Sequence, residues 1–453
     1  MRSMGWRTGR LDVPDDLPRL IQTDSRKISA GQWFVPIIGE NFDGHSFIDE
    51  VIQKGAAGFF FATQQAERIS LDLRRFGIEV DNTTLALQAL GRWWRSRHPS
   101  CRVVGITGSS GKTSVKELLF FMLEAVGPAL KTEGSLNNEL GVPLTLCQIQ
   151  EQHQFAVIEM GARHKGDIAF LGQMVQQDVG VLLNVGTAHI GEFGSAEKIL
   201  ETKMEIAQAN HCVYFRDDER IHKAMRALPG KILTTFGTHS AADVRILSTA
   251  VSPHGHLLLE LSILGKTSRL DLPYFHESYA TNVATVIAIG QSLGLSLDAC
   301  LTGLQAFSGV KGRFKVHALP NMVLIDDAYN ANPQSMRAGL QTVESAYRDY
   351  QKVLILGDMK ELGDTAEEAH RAIGQYCAEQ IHPLRLITVG SMGRWIADSA
   401  LKSGMKPNQL ASYDEVSQVL PHLQEICDKA QLLYVKASNS LRLSKIIDSF
   451  LSK

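Results

Sequence analysis

Short apolar runs alternate with amphipathic segments through the middle of the chain. The run VVGIT at 103–107 is unbroken, as is typical of a strand buried on both faces, and FAVI at 155–158 and VGVLL at 179–183 repeat it. A glycine-rich turn follows the first run. Beyond that turn, apolar side chains recur on one face at helical spacing: Val115, Leu118, Leu119, Met122, Leu123 and Val126. The pattern predicts a parallel sheet with helical crossovers, in which ligands bind at the carboxyl ends of strands.

Both flanks of this region carry a similar pattern. In the first hundred residues, strand-like runs at 33–37 (WFVPI) and 58–62 (GFFFA) flank a helical segment at 51–58, and a second helical segment ends at Pro99. Beyond Arg313, four apolar runs alternate with helical segments: 321–326, 353–357, 386–390 and 432–436.

The predicted fold class is therefore α/β in three domains. We expect a small amino-terminal α/β domain over 1–99, a central doubly wound, mostly parallel P-loop sheet over 100–313, and a Rossmann-like domain over 314–453. The length of 453 residues agrees with about three domains. Alternating segments at 243–264 predict additional β-structure in the central domain.

Composition excludes several classes of protein. Lys and Arg number 46 and Asp and Glu 48, so the formal charge of −2 gives no sign of nucleic-acid binding. No run approaches the roughly 20 apolar residues of a membrane span. The amino terminus lacks the apolar centre of a secretory signal, and the six cysteines are scattered singly, so we expect a cytoplasmic protein in a reducing compartment.

The segment Gly108-Ser109-Ser110-Gly111-Lys112-Thr113 lies between a predicted strand and a predicted helix, which is the position of a phosphate-binding loop. Backbone N–H groups of such a loop point at phosphates, the Lys112 ammonium reaches the β and γ phosphates, and the Thr113 hydroxyl can hold Mg²⁺. The loop is of a shorter kind, because Ile106 stands where full P-loop spacing places a glycine. The shorter spacing argues against a GTPase or an ordinary kinase.

Polar side chains follow the next two strands of the same predicted sheet. Glu159 ends FAVI, and His189 lies in N-V-G-T-A-H, beyond VGVLL. Both are expected near Lys112 at the carboxyl edge, where a carboxylate and an imidazole beside a triphosphate suit magnesium binding. Either residue taken alone is open to an ordinary loop role.

A second polar cluster follows the first apolar strand of the third domain. The segment LIDDAYNANPQSM at 324–336 runs from that strand through an Asx-rich turn into a helix. Capping accounts for Asn332 and Pro333. It leaves four clustered residues unexplained: Asp326, Asp327, Tyr329 and Asn330. The segment GDMKELG at 357–363 places further polar groups at the end of the next strand.

The combination of T-G-S-S-G-K-T, N-V-G-T-A-H, D-D-A-Y-N-A-N-P-Q-S-M and G-D-M-K-E-L-G resembles the Mur ligases. The resemblance spans nearly the whole chain, because segments beginning at Thr23 and Gly39 are similar to the family's UDP-sugar binding region and 135–145 to its central substrate loop. All Mur ligases and folylpolyglutamate synthases share the first motif. The two motifs of the third domain select the member that adds a dipeptide.

The resemblance implies an ATP-dependent ligase that joins D-alanyl-D-alanine to UDP-N-acetylmuramoyl-tripeptide. ATP would phosphorylate the tripeptide carboxylate, and the dipeptide amine would attack the acyl phosphate, giving the UDP-linked pentapeptide for peptidoglycan synthesis. ATP and Mg²⁺ are the implied cofactors, the partners are small-molecule substrates rather than nucleic acid, and a monomer is expected. The first, central and third domains would bind the UDP-sugar, ATP and the dipeptide, respectively.

Functional residues are implied by their match to the family's motifs. Nucleotide contacts are implied for Gly108, Ser109, Ser110, Gly111, Lys112, Thr113, Asn282, Arg313, Asp327 and Asn330. Metal ligands are implied to be Thr113, Glu159, His189 and Lys203, the last carbamylated by CO₂. Catalytic roles are implied for Lys112, His189, Lys203, Arg313 and Asp327, and substrate contacts for Ser25, Arg26, Asn137, Asn138 and Asn332.

The chain departs from the family pattern at a few positions. Ser278-Tyr279 stands in place of His-Asn, Ser135 in place of Asn, and Ala437 in place of Gly. Three alternatives remain open: another Mur-type ligase, a nucleotide-binding protein that has lost catalysis, and a simple P-loop kinase or GTPase. The absence of an Asp-Asn-Pro-Arg signature argues against the first, and the retained phosphate-loop and metal-site residues argue against the second.

Overall fold

The structure, a computed structural model, describes residues 7–8, 14–39, 42–186, 193–252, 256–272, 279–305, 307 and 309–452. Three sheets follow one another along the chain, of five, nine and six strands. Within the described ranges, no helix is both long and apolar enough to cross a lipid bilayer.

The first sheet has the strand order β1-β5-β4-β3-β2, with β1 antiparallel to β5 and the other neighbours parallel. Its strands are β1 Arg7–Thr8, β2 Ile21–Gln22, β3 Trp33–Phe34, β4 Gly58–Ala62 and β5 Gly77–Val80. Its helices are α1 Ile48–Gln53, α2 Leu71–Arg74 and α3 Thr83–Ser96. The strand expected at 33–37 is shorter than predicted, because Pro36 has no N–H to donate to a neighbouring strand.

The central sheet has nine strands in the order β14-β13-β12-β11-β10-β9-β6-β8-β7, parallel except for the β12-β13-β14 meander. The strands are β6 Arg102–Thr107, β7 Ala129–Lys131, β8 Phe155–Glu159, β9 Val179–Leu182, β10 His211–Phe215, β11 Ile232–Gly237, β12 Val244–Val251, β13 Leu257–Ile263 and β14 Lys266–Leu272. The helices are α4 Lys112–Glu124, α5 Gly141–Leu146, α6 Asp167–Val175, α7 Ala196–Met204, α8 Glu219–Arg226, α9 Ala280–Ser292 and α10 Leu297–Gln305. The expected parallel sheet is thus present, and the β-rich stretch at 243–264 extends it.

The third sheet has the order β15-β16-β20-β17-β18-β19, parallel except for the edge strand β15. The strands are β15 Lys315–Ala318, β16 Val323–Asp327, β17 Lys352–Gly357, β18 Arg385–Val389, β19 Leu410–Tyr413 and β20 Leu432–Lys436. The helices are α11 Pro333–Ala346, α12 Ala366–Tyr376, α13 Gly393–Lys402, α14 Val416–Val419, α15 Leu423–Ile426 and α16 Ser444–Leu451. Helices follow the parallel strands, as predicted for a doubly wound sheet.

The first sheet is tied to the central one through α3. The side chain of Trp94 packs in the core beneath the central sheet, and its Nε1 donates to the carbonyl of Ile149 over 2.8 Å. The buried Arg95 Nε donates to the carbonyl of Val175 over 3.1 Å. Because α3 shares its core with α5 and α6, the first two sheets form one packed body.

The third sheet is joined to this body by a short segment around Arg313. Gly312 has φ +75 and Phe314 has φ +55, so the chain takes the left-handed conformation on both sides of Arg313. A Cβ at position 312 would lie 2.8 Å from the Cβ of Tyr329, which requires glycine there. The N–H of Phe314 donates to Asp327 over 3.2 Å, so this turn is fixed to the end of β16.

Candidate functional site

A cavity of about 900 Å³ lies between the carboxyl edges of the central and third sheets. The loops after β6, β8 and β9 line one side, and the loops after β16, β17 and β20 line the other. Its wall includes residues predicted from the sequence: Ser109, Ser110, Gly111, Lys112, Thr113, Asn137, Glu159, Asn282, Arg313, Asp327, Asn330 and Asn332.

The conformation of the glycine-rich loop is fixed by its own backbone and by a hydrogen bond to Asn184. Gly111 has φ +80 at the N-cap of α4, and the N–H of Ser110 donates to Asn184 Oδ1 over 3.0 Å. The Lys112 ammonium donates to the carbonyl of Gly108 over 2.8 Å. Burial lowers the pKa of Lys112, and the charge of Glu159 opposes that shift. A helix N-terminus and a lysine thus converge where phosphates would bind.

Glu159 lies at the end of β8 with only 2% of its surface exposed. Its Oε2 accepts a hydrogen bond from the Thr113 hydroxyl over 3.0 Å, and its Oε1 accepts one from Asn137 Nδ2 over 2.8 Å. The ammonium of the fully buried Lys116 lies 3.8 Å from Oε2. The carboxylate is therefore fixed by three side chains from two segments.

The Thr113 hydroxyl and the Glu159 carboxylate fit a magnesium ion. Mg²⁺ is usually held by one or two carboxylates, with substrate phosphates and water completing the octahedron. Among the described residues, no three His, Cys, Asp or Glu side chains cluster as a complete protein-only metal site. His189, which the sequence places at this site, lies outside the described residues.

Lys203, on α7, is 2% exposed. Burial and, to a lesser degree, the charge of Lys112 lower the pKa of Lys203 to about 7. Lys203 does not line the cavity, and no hydrogen bond or ion pair joins its ammonium to the rest of the described chain. It is nevertheless close enough to Lys112 for their charges to interact.

Asp327 ends β16 and is held by the strand beside it. Its Oδ2 accepts hydrogen bonds from the Lys436 ammonium over 2.7 Å and from the Tyr434 hydroxyl over 2.9 Å. Lys436 also donates to the carbonyl of Asn330 over 3.1 Å. Burial lowers the pKa of Lys436, while the charge of Asp327 acts to raise it. Asp327 and Lys436 thus form a buried ion pair at the carboxyl ends of β16 and β20.

Arg313 crosses from the connecting segment to the phosphate loop. Its Nη2 donates to the Thr113 hydroxyl over 3.3 Å, and its guanidinium carbon lies 4.2 Å from the centre of the Tyr329 ring. The carbonyl of Arg313 accepts a hydrogen bond from the Tyr279 hydroxyl over 2.9 Å. Burial raises the pKa of Tyr279, so its hydroxyl keeps its proton for this bond. Tyr279 is one of the positions that departs from the family pattern.

Two more contacts cross the cavity. The Tyr329 hydroxyl is hydrogen-bonded to the Ser135 hydroxyl, in the loop that the sequence assigns to substrate. Arg163, after β8, lies 3.5 Å from Glu361, after β17. Both contacts join the third sheet to the central one.

Three of the residues predicted to contact substrate, Ser25, Arg26 and Asn138, do not line the cavity. Arg26 pairs with Asp24 over 2.8 Å on the surface of the first sheet, beside Ser25. Asn138 accepts from the N–H of Gly141 over 2.9 Å, at the start of α5, so its side chain supports the loop. Asn332 lines the cavity and also caps α11.

Sequence reasoning missed two buried lysines at this site: Lys436, which lines the cavity, and Lys116, which pairs with Glu159. Lys116 follows Lys112 by one helical turn and donates to the carbonyl of Gly134 over 2.7 Å. Lys436 ends the apolar run LLYVK. For Lys436 the apolar run was the available signal, since lysine is rarely buried without a partner. Lys116 stands between Val115 and Glu117 and carries no such signal.

Comparison with known proteins agrees with this arrangement. Three family descriptions match consecutive parts of the chain: "Mur ligase family, catalytic domain" at 19–94, "Mur ligase middle domain" at 106–290, and "Mur ligase, glutamate ligase domain" at 312–439. The UDP-N-acetylmuramoyl-tripeptide–D-alanyl-D-alanine ligase of Bacillus subtilis (strain 168) is 31% identical, over 94% of this chain and 92% of its own.

Solved structures give the same result. A crystal structure of MurF from Acinetobacter baumannii has a TM-score of 0.85 and 31% identity, covering 96% of this chain and 93% of that one. The MurF ligase of Thermotoga maritima in complex with ADP has a TM-score of 0.81 and 28% identity, covering 97% of this chain and 98% of that one. The chain therefore belongs to the Mur ligase family, among the UDP-N-acetylmuramoyl-tripeptide–D-alanyl-D-alanine ligases.

Proposed function

We propose that this chain is an ATP-dependent ligase that joins D-alanyl-D-alanine to UDP-N-acetylmuramoyl-tripeptide and so supplies the pentapeptide precursor of peptidoglycan. One observation carries the proposal: Lys112, Thr113 and Glu159 face Arg313 and Asp327 across a single cavity between two sheets. The names of the relatives identify the reaction class, and the Thermotoga maritima relative was solved with ADP.

The phosphate loop would bind the triphosphate of ATP. A carboxylate that attacks a phosphate is repelled by its charge, so catalysis depends on neutralising that charge and on orienting the two groups. Lys112 would leave the Gly108 carbonyl to contact the β and γ phosphates, and Arg313, already 3.3 Å from Thr113, would contact the γ phosphate. Mg²⁺ held by Thr113 and Glu159 would supply further neutralisation. Asn282 would lie on the adenine side.

The acceptor half of the reaction would take place on the opposite wall. The tripeptide carboxylate would take the γ phosphoryl group from ATP and release ADP, giving an acyl phosphate. The dipeptide amine would attack its carbonyl carbon and lose a proton, and phosphate would leave from the tetrahedral intermediate. Asn137 would orient the tripeptide next to Glu159, and Asn330 and Asn332 would contact nucleotide or dipeptide. Because Asp327 accepts bonds from Lys436 and Tyr434 at Oδ2 and from the Phe314 N–H at Oδ1, it would act by holding these strand ends in place.

Lys203 is the proposed site of a carbamate. Its neutral amine would attack CO₂ and release a proton, giving a carboxylate-like group close to Lys112. Its burial and its pKa of about 7 support a substantial neutral fraction near neutral pH. A carbamate signal in ¹³C NMR after addition of ¹³C-bicarbonate, present in the native chain and absent from Lys203→Ala, tests this step; a native chain without the signal contradicts it.

The domain roles follow from the same proposal. Residues 1–99, with Ser25 and Arg26, would bind the UDP-sugar, 100–313 would bind ATP, and 314–453 would bind the dipeptide. A monomeric state and a cytoplasmic location stay predictions from the sequence.

The deciding experiment measures phosphate release with Mg²⁺ and ATP while UDP-N-acetylmuramoyl-tripeptide and D-alanyl-D-alanine are added singly and together. We expect release that requires both, with the mass of the UDP-pentapeptide appearing in step. Both the diaminopimelate and the lysine forms of the tripeptide are tested. ATP binding without turnover on either form would reject the ligase and favour a nucleotide-binding protein that has lost catalysis.

A further inference from the structure

Tyr329 contacts three residues in two parts of the molecule. Its backbone N–H donates to the carbonyl of Gly312 over 3.1 Å, its ring lies against the Arg313 guanidinium at 4.2 Å, and its hydroxyl is bonded to Ser135. The first two partners belong to the connecting segment, and the third belongs to the central body. The sequence pattern assigns no function to the Tyr329 side chain.

Within the part of the chain that the structure describes, one hydrogen bond holds the Arg313 guanidinium. Its Nη2 reaches the Thr113 hydroxyl, but its Nε is buried without a hydrogen-bond partner among the described residues. A long, flexible side chain in this state has several accessible rotamers, and an aromatic face restricts them. The Tyr329 ring is therefore the main surface that sets the direction of the guanidinium.

Ser135 belongs to a loop that is itself tied to the proposed magnesium site. Lys116 donates to the carbonyl of Gly134 over 2.7 Å, and Asn137 donates to Glu159 over 2.8 Å. Glu159 in turn accepts from Thr113, the residue that Arg313 contacts. The contacts thus form a closed ring that runs from the phosphate loop through the substrate loop to the arginine and back.

We propose that Tyr329 is a positioning residue that makes the placement of the Arg313 guanidinium depend on the position of the loop at 133–138. The Tyr329 ring positions the guanidinium next to the phosphate loop. The Tyr329 hydroxyl connects the ring to the loop that is expected to contact the acceptor. The inference rests on the proposed ligase function. Its consequence is that Arg313 reaches the phosphates correctly only when the third sheet has closed on a correctly placed substrate loop.

Two substitutions separate the ring from the hydroxyl. Tyr329→Phe keeps the stacking face and removes the bond to Ser135, whereas Tyr329→Leu removes both. We expect Tyr329→Leu to lower kcat about 30- to 100-fold with less than about a 3-fold change in nucleotide affinity, since misplacement of a catalytic group costs up to about 100-fold. Tyr329→Phe and Ser135→Ala are each expected to lower kcat about 3- to 10-fold, and the double variant no further, because both remove the same bond.

An Arg313→Ala background tests whether Tyr329 acts through the arginine. In that background Tyr329→Leu should have no further effect on kcat, whereas a general structural role would lower it again. Tyr350→Phe, a half-exposed tyrosine of the third domain remote from the cavity, serves as the matched control and should leave kcat unchanged. The proposal would be overturned if the effects on kcat were additive for Tyr329→Phe with Ser135→Ala, or for Tyr329→Leu with Arg313→Ala.

A second measurement separates this inference from the ligase assignment. Hydrogen exchange of the native chain and of Tyr329→Phe, each with ADP and Mg²⁺, is compared at the 133–138 loop. We expect faster exchange of that loop in Tyr329→Phe with equal midpoints of thermal unfolding, whether or not ligation is observed. Absent turnover by the native chain with both substrates would reject the proposed function alone, and unchanged exchange in the loop would reject the coupling.

Discussion

The hydroxyl of Thr113 donates a hydrogen bond to the Glu159 carboxylate over 3.0 Å, across 46 positions of the sequence. The bond joins the first turn of α4 to the end of the neighbouring strand β8. The two residues proposed to bind Mg²⁺ are thereby held against each other by a direct bond.

Glu159→Gln should raise the Mg²⁺ concentration needed for half-maximal activity about 10-fold or more, because the variant loses one oxygen and the negative charge beside Thr113. A Mg²⁺ titration of phosphate release at saturating ATP measures the change. Glu151→Gln, which changes an exposed carboxylate outside the cavity and outside the loop at 133–138, is the control and should leave the titration unaltered.

Lys112→Ala should abolish measurable turnover. Lys112 is the one cationic side chain within the loop at 108–113. Removal of one group that stabilises developing charge typically costs about 100- to 1,000-fold in kcat. Phosphate release with both substrates present measures the loss, with the exposed Lys402→Ala as control. Activity of Lys112→Ala equal to that of the control would place the phosphates elsewhere.

Lys203→Met should stabilise the fold more at pH 6 than at pH 9. The pKa of Lys203 falls from its usual 10.5 to about 7 on burial, so below pH 7 the folded chain carries a buried charge that the unfolded chain keeps in water. Between pH 7 and 10.5 the folded chain loses that proton while the unfolded chain retains it, so native stability increases with pH. The advantage of the methionine variant therefore shrinks as pH rises.

Thermal unfolding in bicarbonate-free buffer at the two pH values measures this difference. Lys198→Met changes an exposed lysine of the same helix and should give equal midpoints relative to the native chain at both pH values. An advantage of Lys203→Met that does not vary with pH would mean that the buried amine does not titrate in this range.

Asp327→Asn and Lys436→Met should each lower the free energy of unfolding of the third domain by about 3–5 kcal/mol, because each leaves one member of a buried pair without its partner. The double variant should lose less than the sum of the two. Asp414→Asn, which breaks an exposed pair with Arg394 at 2.8 Å, should cost less than about 1 kcal/mol. Urea denaturation of the four variants provides the comparison.

The sequence predicted many strands that are buried on both faces, but it missed the interior strands β5, β10 and β11 as well as strands at the sheet edges. Strand β20, the run LLYVK, is buried along its whole length, and an unbroken apolar run is its direct signature. Strands β15 and β19 lie at opposite edges of the third sheet and are only partly buried, so their residues follow no apolar pattern. Strand β14 pairs only with β13 and is mostly polar for the same reason.

In the candidate site, residues next to a strand end could be predicted, and contacts between distant segments could not. Lys112 and Glu159 follow apolar strands directly, so their place at the carboxyl edge follows from the fold class. The bond between Asp327 and Lys436 spans 109 positions and exists because β16 and β20 are parallel neighbours in register. Strand order is not encoded in either segment alone, and the same holds for the contact of Ser135 with Tyr329.

Arg313 lies 200 positions after Thr113, the residue its guanidinium contacts. A ribosome that adds about 5–20 residues per second completes the glycine-rich loop roughly 10–40 s before it adds this arginine. Domains generally fold as units, so the loop takes its native form together with the strands that follow it, up to β14 at Leu272. The contact between Thr113 and Arg313 is therefore made late in synthesis, after the central sheet is complete.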